Sequence, residues 1–94
     1  MTIHHEDNGS KGRFFIGDAS KPDGFMTYVW AGPDSFIIDH TEVGDALKGQ
    51  GAGKQLVMAA VEFAREKNIK IIPLCPFAKS VFQKVEEIRD VYKS

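Results

Sequence analysis

Leu47-Lys48-Gly49-Gln50-Gly51-Ala52-Gly53-Lys54 runs straight into a helical pattern that continues to Lys67. Glycine at every second position leaves backbone N–H groups uncovered and admits positive φ where a turn needs it. Joined to a helix N-terminus, such a turn cradles anions, because unpaired N–H groups and the helix dipole point at one spot. A phosphate-bearing ligand is the expectation. Two familiar phosphate loops do not fit. A Walker A loop would need glycine where Lys48 stands and a hydroxyl where Gln55 stands. A dinucleotide loop would need its third glycine at Lys54. The plainer alternative is a glycine-rich turn that merely starts a helix.

Downstream of the loop, Leu56, Val57, Ala60, Val61 and Ala64 fall on one helix face, with Lys54, Glu62, Arg65 and Glu66 on the wet side. Asn68 suits the C-terminal end. Ile69 to Leu74 reads as a buried strand. Entered through a helix, it should lie parallel to the strand before the loop. Pro73 has no N–H for a ladder, so pairing is expected to weaken there and open a slot between two parting strands. Pro76 to Lys84 starts a second helix that offers Val81 and Phe82 to the core. The tail, Val85 to Ser94, is ambiguous between helix and short strand.

Upstream, Arg13–Gly17, Phe25–Trp30 and Ser35–Val43 read as three strands, separated by turn chemistry over Asp18–Gly24 and Gly32–Asp34. Short links make them an antiparallel meander. Residues 1–11 are polar and read as a frayed start or an edge strand. His4 and His5 have no carboxylate or cysteine cluster nearby, so no metal site is expected. The fold class is α/β (α+β): an antiparallel meander, then a β-α-β unit with splayed parallel strands, then a C-terminal helix.

Ninety-four residues fit one domain, 1–94, and the 43% hydrophobic and 11% aromatic shares argue against disorder. A formal net charge of −1 with no basic stripe argues against a nucleic-acid surface. Without an 18-residue apolar run or a signal peptide, the expectation is a cytoplasmic protein that uses no membrane, for which a monomer is plausible. One cysteine rules out an internal disulfide and a cysteine-built zinc site. Cys75 is either a small core residue or a reactive thiol, for it precedes a helix whose N-terminal dipole lowers a thiol pKa.

The order β-β-β, "ALKGQGAGKQLV", helix, "IKIIPLCPFAKSVFQK" resembles the GNAT superfamily of acetyl-CoA-dependent N-acetyltransferases. It is most similar to the small single-domain, YjdJ-like branch that carries a cysteine after the last core strand. The likeness covers residues 12–84 and is strongest at "DHTEV", "KGQGAG" and "PLCPFAK". It implies that backbone N–H groups from Gly49 through Gln50, Gly51, Ala52 and Gly53 to Lys54 hold the coenzyme A pyrophosphate. It implies too that Thr41, Glu42 and Val43 run beside the pantetheine arm, and that Pro76 and Phe77 join the coenzyme contacts. Lys48 stands where Arg or Gln is usual, keeping the charge but losing the planar fork. Phe82 stands where many members have a tyrosine that protonates the departing thiolate. The pair of helices that shapes the acceptor pocket in larger relatives is missing.

Acetyl transfer needs a neutral nucleophile, a polarised thioester carbonyl and a stabilised leaving thiolate. Backbone N–H groups near Val43 could polarise the carbonyl. His40 and Glu42, on one strand face by period-2 alternation, are the candidate bases, with a sheet-bound histidine and a surface carboxylate as the plainer readings. If His40 lies across the slot, it could pair with Cys75 for a two-step reaction through an acyl-enzyme. An acetyl-CoA-binding module with little or no turnover is the other reading. The acceptor is an unidentified amine or lysine-bearing molecule. Asp34, Asp39, Glu42 and Asp45 hint at a cationic one, although such a run is more often plain surface.

Overall fold

The computed structural model describes residues 1–94. Its five strands, β1 (His4–Asp7), β2 (Lys11–Asp18), β3 (Lys21–Trp30), β4 (Ser35–Val43) and β5 (Lys70–Pro73), form one sheet in sequence order. β1 to β4 are antiparallel neighbours, and β5 lies parallel to β4. Helix α1 (Ala52–Lys67) makes the crossover, and α2 (Pro76–Lys84) follows β5. The expected mixed sheet is present, with one more antiparallel strand than the meander of three. Residues 4–7 form the edge strand, one of the two readings open for the polar start.

The expected turn over Asp18–Gly24 is corrected to a two-residue connection at Ala19-Ser20, because Asp18 pairs with Lys21. The Asp18 carboxylate accepts from both the Ser20 amide and the Ser20 hydroxyl, closing the turn locally. The other turn-forming residues are absorbed by an irregularity. Gly17, at φ 94°, pairs with Pro22, and Ile16 with Gly24, so Asp23 is an extra residue.

Phe14, Met26, Tyr28, Phe36 and Ile38 face Leu56, Val57, Ala60 and Val61 of α1 in one hydrophobic cluster. Alternation along the strands puts these residues on one sheet face and Arg13, Phe15, Phe25, Thr27 and Ile37 on the other. α1 and α2 both pack on the first face, as does the 3-10 turn over Glu86–Val91. α1 ends with Asn68 at φ 59°, its N–H donating to the Ala64 and Arg65 carbonyls, as the left-handed cap requires. The ambiguous tail is both things in part: after its 3-10 turn, Tyr92 bridges in parallel to Ile71. Arg65 holds that turn through the Asp90 carboxylate and the Glu87 carbonyl. No helix is long and apolar enough to cross a membrane.

Candidate active site

β4 and β5 pair from Ser35↔Lys70 to Ile38↔Pro73 and no further. Pro73 marks the end of the ladder. Beyond it the amides of Leu74 and Cys75 both donate to the Ile38 carbonyl, at 3.0 Å each. β5 then turns into α2 while β4 continues to Val43, so the two part and a slot opens between residues 39–43 and Cys75.

The glycine loop flanks that slot. After a 3-10 turn over Asp45–Leu47, Gly49 (φ 81°) and Gly51 (φ 69°) take the left-handed conformations that glycine accepts without strain. Gly53 has a different reason. A Cβ there would stand 2.5 Å from the Phe77 ring, so its absence lets α2 close on the start of α1. The amides of Gly49, Gly51, Ala52, Gly53 and Lys54 donate to no acceptor in the chain; the Gln50 amide is already taken by the Leu47 carbonyl. Lys48 and Lys54 are exposed and outside every ion pair. Five free donors at a helix N-terminus between two free ammonium groups suit a di-anionic phosphate group.

An extra residue in β4 decides what faces the slot. Thr27 pairs with His40 and Tyr28 with Ile38, so Asp39 is bulged out of register. Ahead of the bulge Phe36 and Ile38 point to the helices; after it Thr41, opposite the buried Met26, takes that side. The Gly44 amide donates to the Asp23 carbonyl, and ladder alternation then turns the Thr41 and Val43 amides away from β3 and into the slot.

Cys75 is 6% exposed and caps α2. Its Sγ lies 3.5 Å from Thr41 Oγ1. Burial pushes the thiol up, but the Thr41 hydroxyl and the amides of Ala78, Phe77 and Thr41 outweigh it and hold the pKa below the usual thiol value. Every group that pulls it down is a neutral donor.

His40 and Glu42 do share a face, with Nε2 to Oε1 at 3.6 Å, and His40 tilts against Phe25 at 5.8 Å between centroids. That face is the other one. The expected Cys75–His40 pair across the slot is therefore corrected: the bulge puts His40 behind β4, and Thr41 takes its place at the sulfur. The open face also carries a depression of about 480 Å3 that reaches Asp39, lined by Glu6, Arg13 and Thr27 among others. Phe82 is 2% exposed, a core ring against Tyr92.

Residues 13–91 match the family model of the GCN5-related N-acetyl-transferases. The chain belongs to that family. It is 41% identical to a GCN5-like protein from Staphylococcus aureus whose solution NMR structure it matches with a TM-score of 0.76, over 97% of this chain and 88% of that one. A GNAT-family acetyltransferase from Elizabethkingia anophelis, solved with acetyl-CoA bound, shares the fold at 16% identity and a TM-score of 0.65, over 88% of this chain and 72% of that one. Over 50 residues the chain is also 36% identical to Protein NATD1 of Xenopus tropicalis, which is 53% of this chain and 46% of that protein. It spans about half the length of the curated relatives it matches.

In this GCN5-related fold Thr41, Cys75 and Phe77 meet on the helix-covered face of the sheet, with Phe77 against the glycine loop at Gly53, and His40 with Glu42 lies on the open face. Sequence reading missed Ala78 as a donor to the sulfur and Thr27 and Asp39 as parts of the site's frame. The only signal for Ala78 was its place three residues into a helix capped by cysteine. For Thr27 there was none, and Asp39 stood out only as one of four acidic residues that hint at a cationic acceptor.

Proposed function

We propose that this chain is an acetyl-CoA-dependent N-acetyltransferase that passes the acetyl group through Cys75 to an amine. One observation carries the reading: a buried thiol ringed by the Thr41 hydroxyl and three backbone amides, at the mouth of a slot that begins at a free-amide phosphate cradle. The free amides from Gly49 to Lys54, with Lys48 and Lys54, hold the diphosphate of coenzyme A. Thr41 and Val43 lie beside its pantetheine arm, with Pro76 and Phe77 across from them. Thr41 is next to the sulfur and its amide, with that of Val43, faces the slot, where they polarise the thioester carbonyl.

The Cys75 thiolate attacks that carbonyl and the carbon–sulfur bond to coenzyme A breaks; the coenzyme thiolate leaves and takes a proton from solvent. Four neutral donors stabilise the Cys75 thiolate once its proton has gone to solvent, and no imidazole stands beside it. The neutral acceptor amine then arrives from the open face and attacks the acetyl carbon on Cys75. Glu42, with His40 at 3.6 Å, takes the amine proton, and the Cys75 thiolate departs into the donors it left. Intact-mass measurement after mixing with acetyl-CoA tests the first half. One added acetyl group on the wild type and none on Cys75→Ala is expected; turnover of an amine without any such adduct under trapping at low pH overturns it.

The second reading, an acetyl-CoA-binding module with little turnover, is favoured by Phe82, which has no hydroxyl, and by the open sheet face, which no helix covers. It predicts amide shifts at Gly49–Lys54 with acetyl-CoA but no amine-dependent release of coenzyme A.

A further inference from the structure

Thr27 Oγ1 donates to Asp39 Oδ1 at 2.6 Å, linking the bulged residue to the strand β3 residue that pairs with its neighbour His40. Both sit on the open face, far from the amide cradle in sequence and on the wrong side of β4 to touch the thiol. Yet the extra residue they hold is what reverses the alternation of β4. Without it, period-2 alternation from Ile38 would send His40 toward the helices and Cys75 and would turn Thr41 outward. A bulge is a local irregularity whose position must be specified by something, and regular pairing is the competing state.

We propose that Thr27 and Asp39 are positioning residues: their hydrogen bond fixes the bulge, and the bulge aims Thr41 at the Cys75 sulfur while it keeps His40 and Glu42 on the acceptor side. The purpose of that division rests on the acetyl-transfer reading above; the aiming itself does not. No charged side chain contributes to the environment of the thiol, so the Thr41 hydroxyl and amide are the donors that a shifted bulge would withdraw.

The test is the pH dependence of Cys75 alkylation by iodoacetamide in the free protein, which reads the thiolate without coenzyme or acceptor. Thr27→Val, nearly the same shape without the hydroxyl, and Asp39→Ala are each expected to move the midpoint alkaline by about one pH unit, the worth of one or two lost hydrogen bonds. Thr27→Ser and Asp39→Asn, which keep a donor and an acceptor, are expected to restore the wild-type midpoint. Far-UV circular dichroism and amide spectra of each variant separate re-aiming from unfolding, and Asp39→Ala stands in should Thr27→Val fold poorly. An unmoved midpoint in both folded disruptive variants overturns the proposal. So does a midpoint moved equally in the conservative pair. Titrating the same variants with acetyl-CoA keeps the two ideas apart: absent loop shifts in the wild type defeat the functional reading alone.

Discussion

Single glycines in the loop make separable predictions. Gly51 sits at φ 69° with open space where a Cβ would go. Gly51→Ala therefore meets only backbone strain, and a urea titration should show a loss of about 1–2 kcal/mol. Gly53 has ordinary helical surroundings, but a Cβ would press on the tip of the Phe77 ring, which is 40% exposed and free to swing. Gly53→Ala should leave the urea midpoint within about 1 kcal/mol of wild type, since helix propensity offsets the shift, yet weaken coenzyme A binding in an amide-shift titration. Spacing exposed the glycines as a group; only packing showed that two serve backbone conformation and one serves close approach. The same holds for His40. Its nearness to Glu42 was legible from alternation, whereas its separation from Cys75 was not, because one unpredicted residue in β4 reverses the parity.

At the scale of elements, β1 is an edge strand fastened by side chains as well as by its ladder. The Tyr28 hydroxyl donates to Asp7 Oδ2 at 2.5 Å and takes His5 Nε2 at 2.5 Å, while Trp30 Nε1 donates to the same carboxylate oxygen at 2.7 Å. Gly12 is bare because the Tyr28 ring crosses it at 2.5 Å from where a Cβ would be. Burial lowers the His5 pKa despite Asp7 nearby. Burial raises the Asp7 carboxyl, but the Tyr28, Gly9 and Trp30 donors outweigh it, so its pKa is lowered. Both shifts carry the same sign. A histidine lowered on folding resists protonation, so the docked state loses stability as pH falls below 6.5 toward the folded pKa. A carboxylate lowered on folding adds stability above 3.8 and loses it as pH falls through the folded value. Hydrogen exchange of residues 4–7 should accelerate relative to α1 as pH drops from 7 to 4, after correction for intrinsic rates. Tyr28→Phe should lose about 1 kcal/mol at neutral pH while the step itself persists, because burial and not the hydroxyl lowers the His5 pKa.

For the molecule as a whole, one hydrophobic cluster between the sheet and the helices carries nearly all the buried apolar side chains, and Phe15, beneath Arg13 at 4.4 Å, is the exception on the open face. Leu56 is fully buried at its centre. Leu56→Ala should cost about 3 kcal/mol in chemical denaturation, a large part of the roughly 5–15 kcal/mol typical of a domain. The sequence by itself determined the helix after the glycines, the parallel strand behind it, the thiol at a helix start and the family those features spell, because each rests on local periodicity, capping or spacing. Tertiary structure alone decided which sheet face is covered, that Thr41 and not His40 meets Cys75, and that Phe77 closes over Gly53. Those outcomes depend on how one strand registers against another and on which helix reaches which turn, and neither is written in the order of residues along a single element.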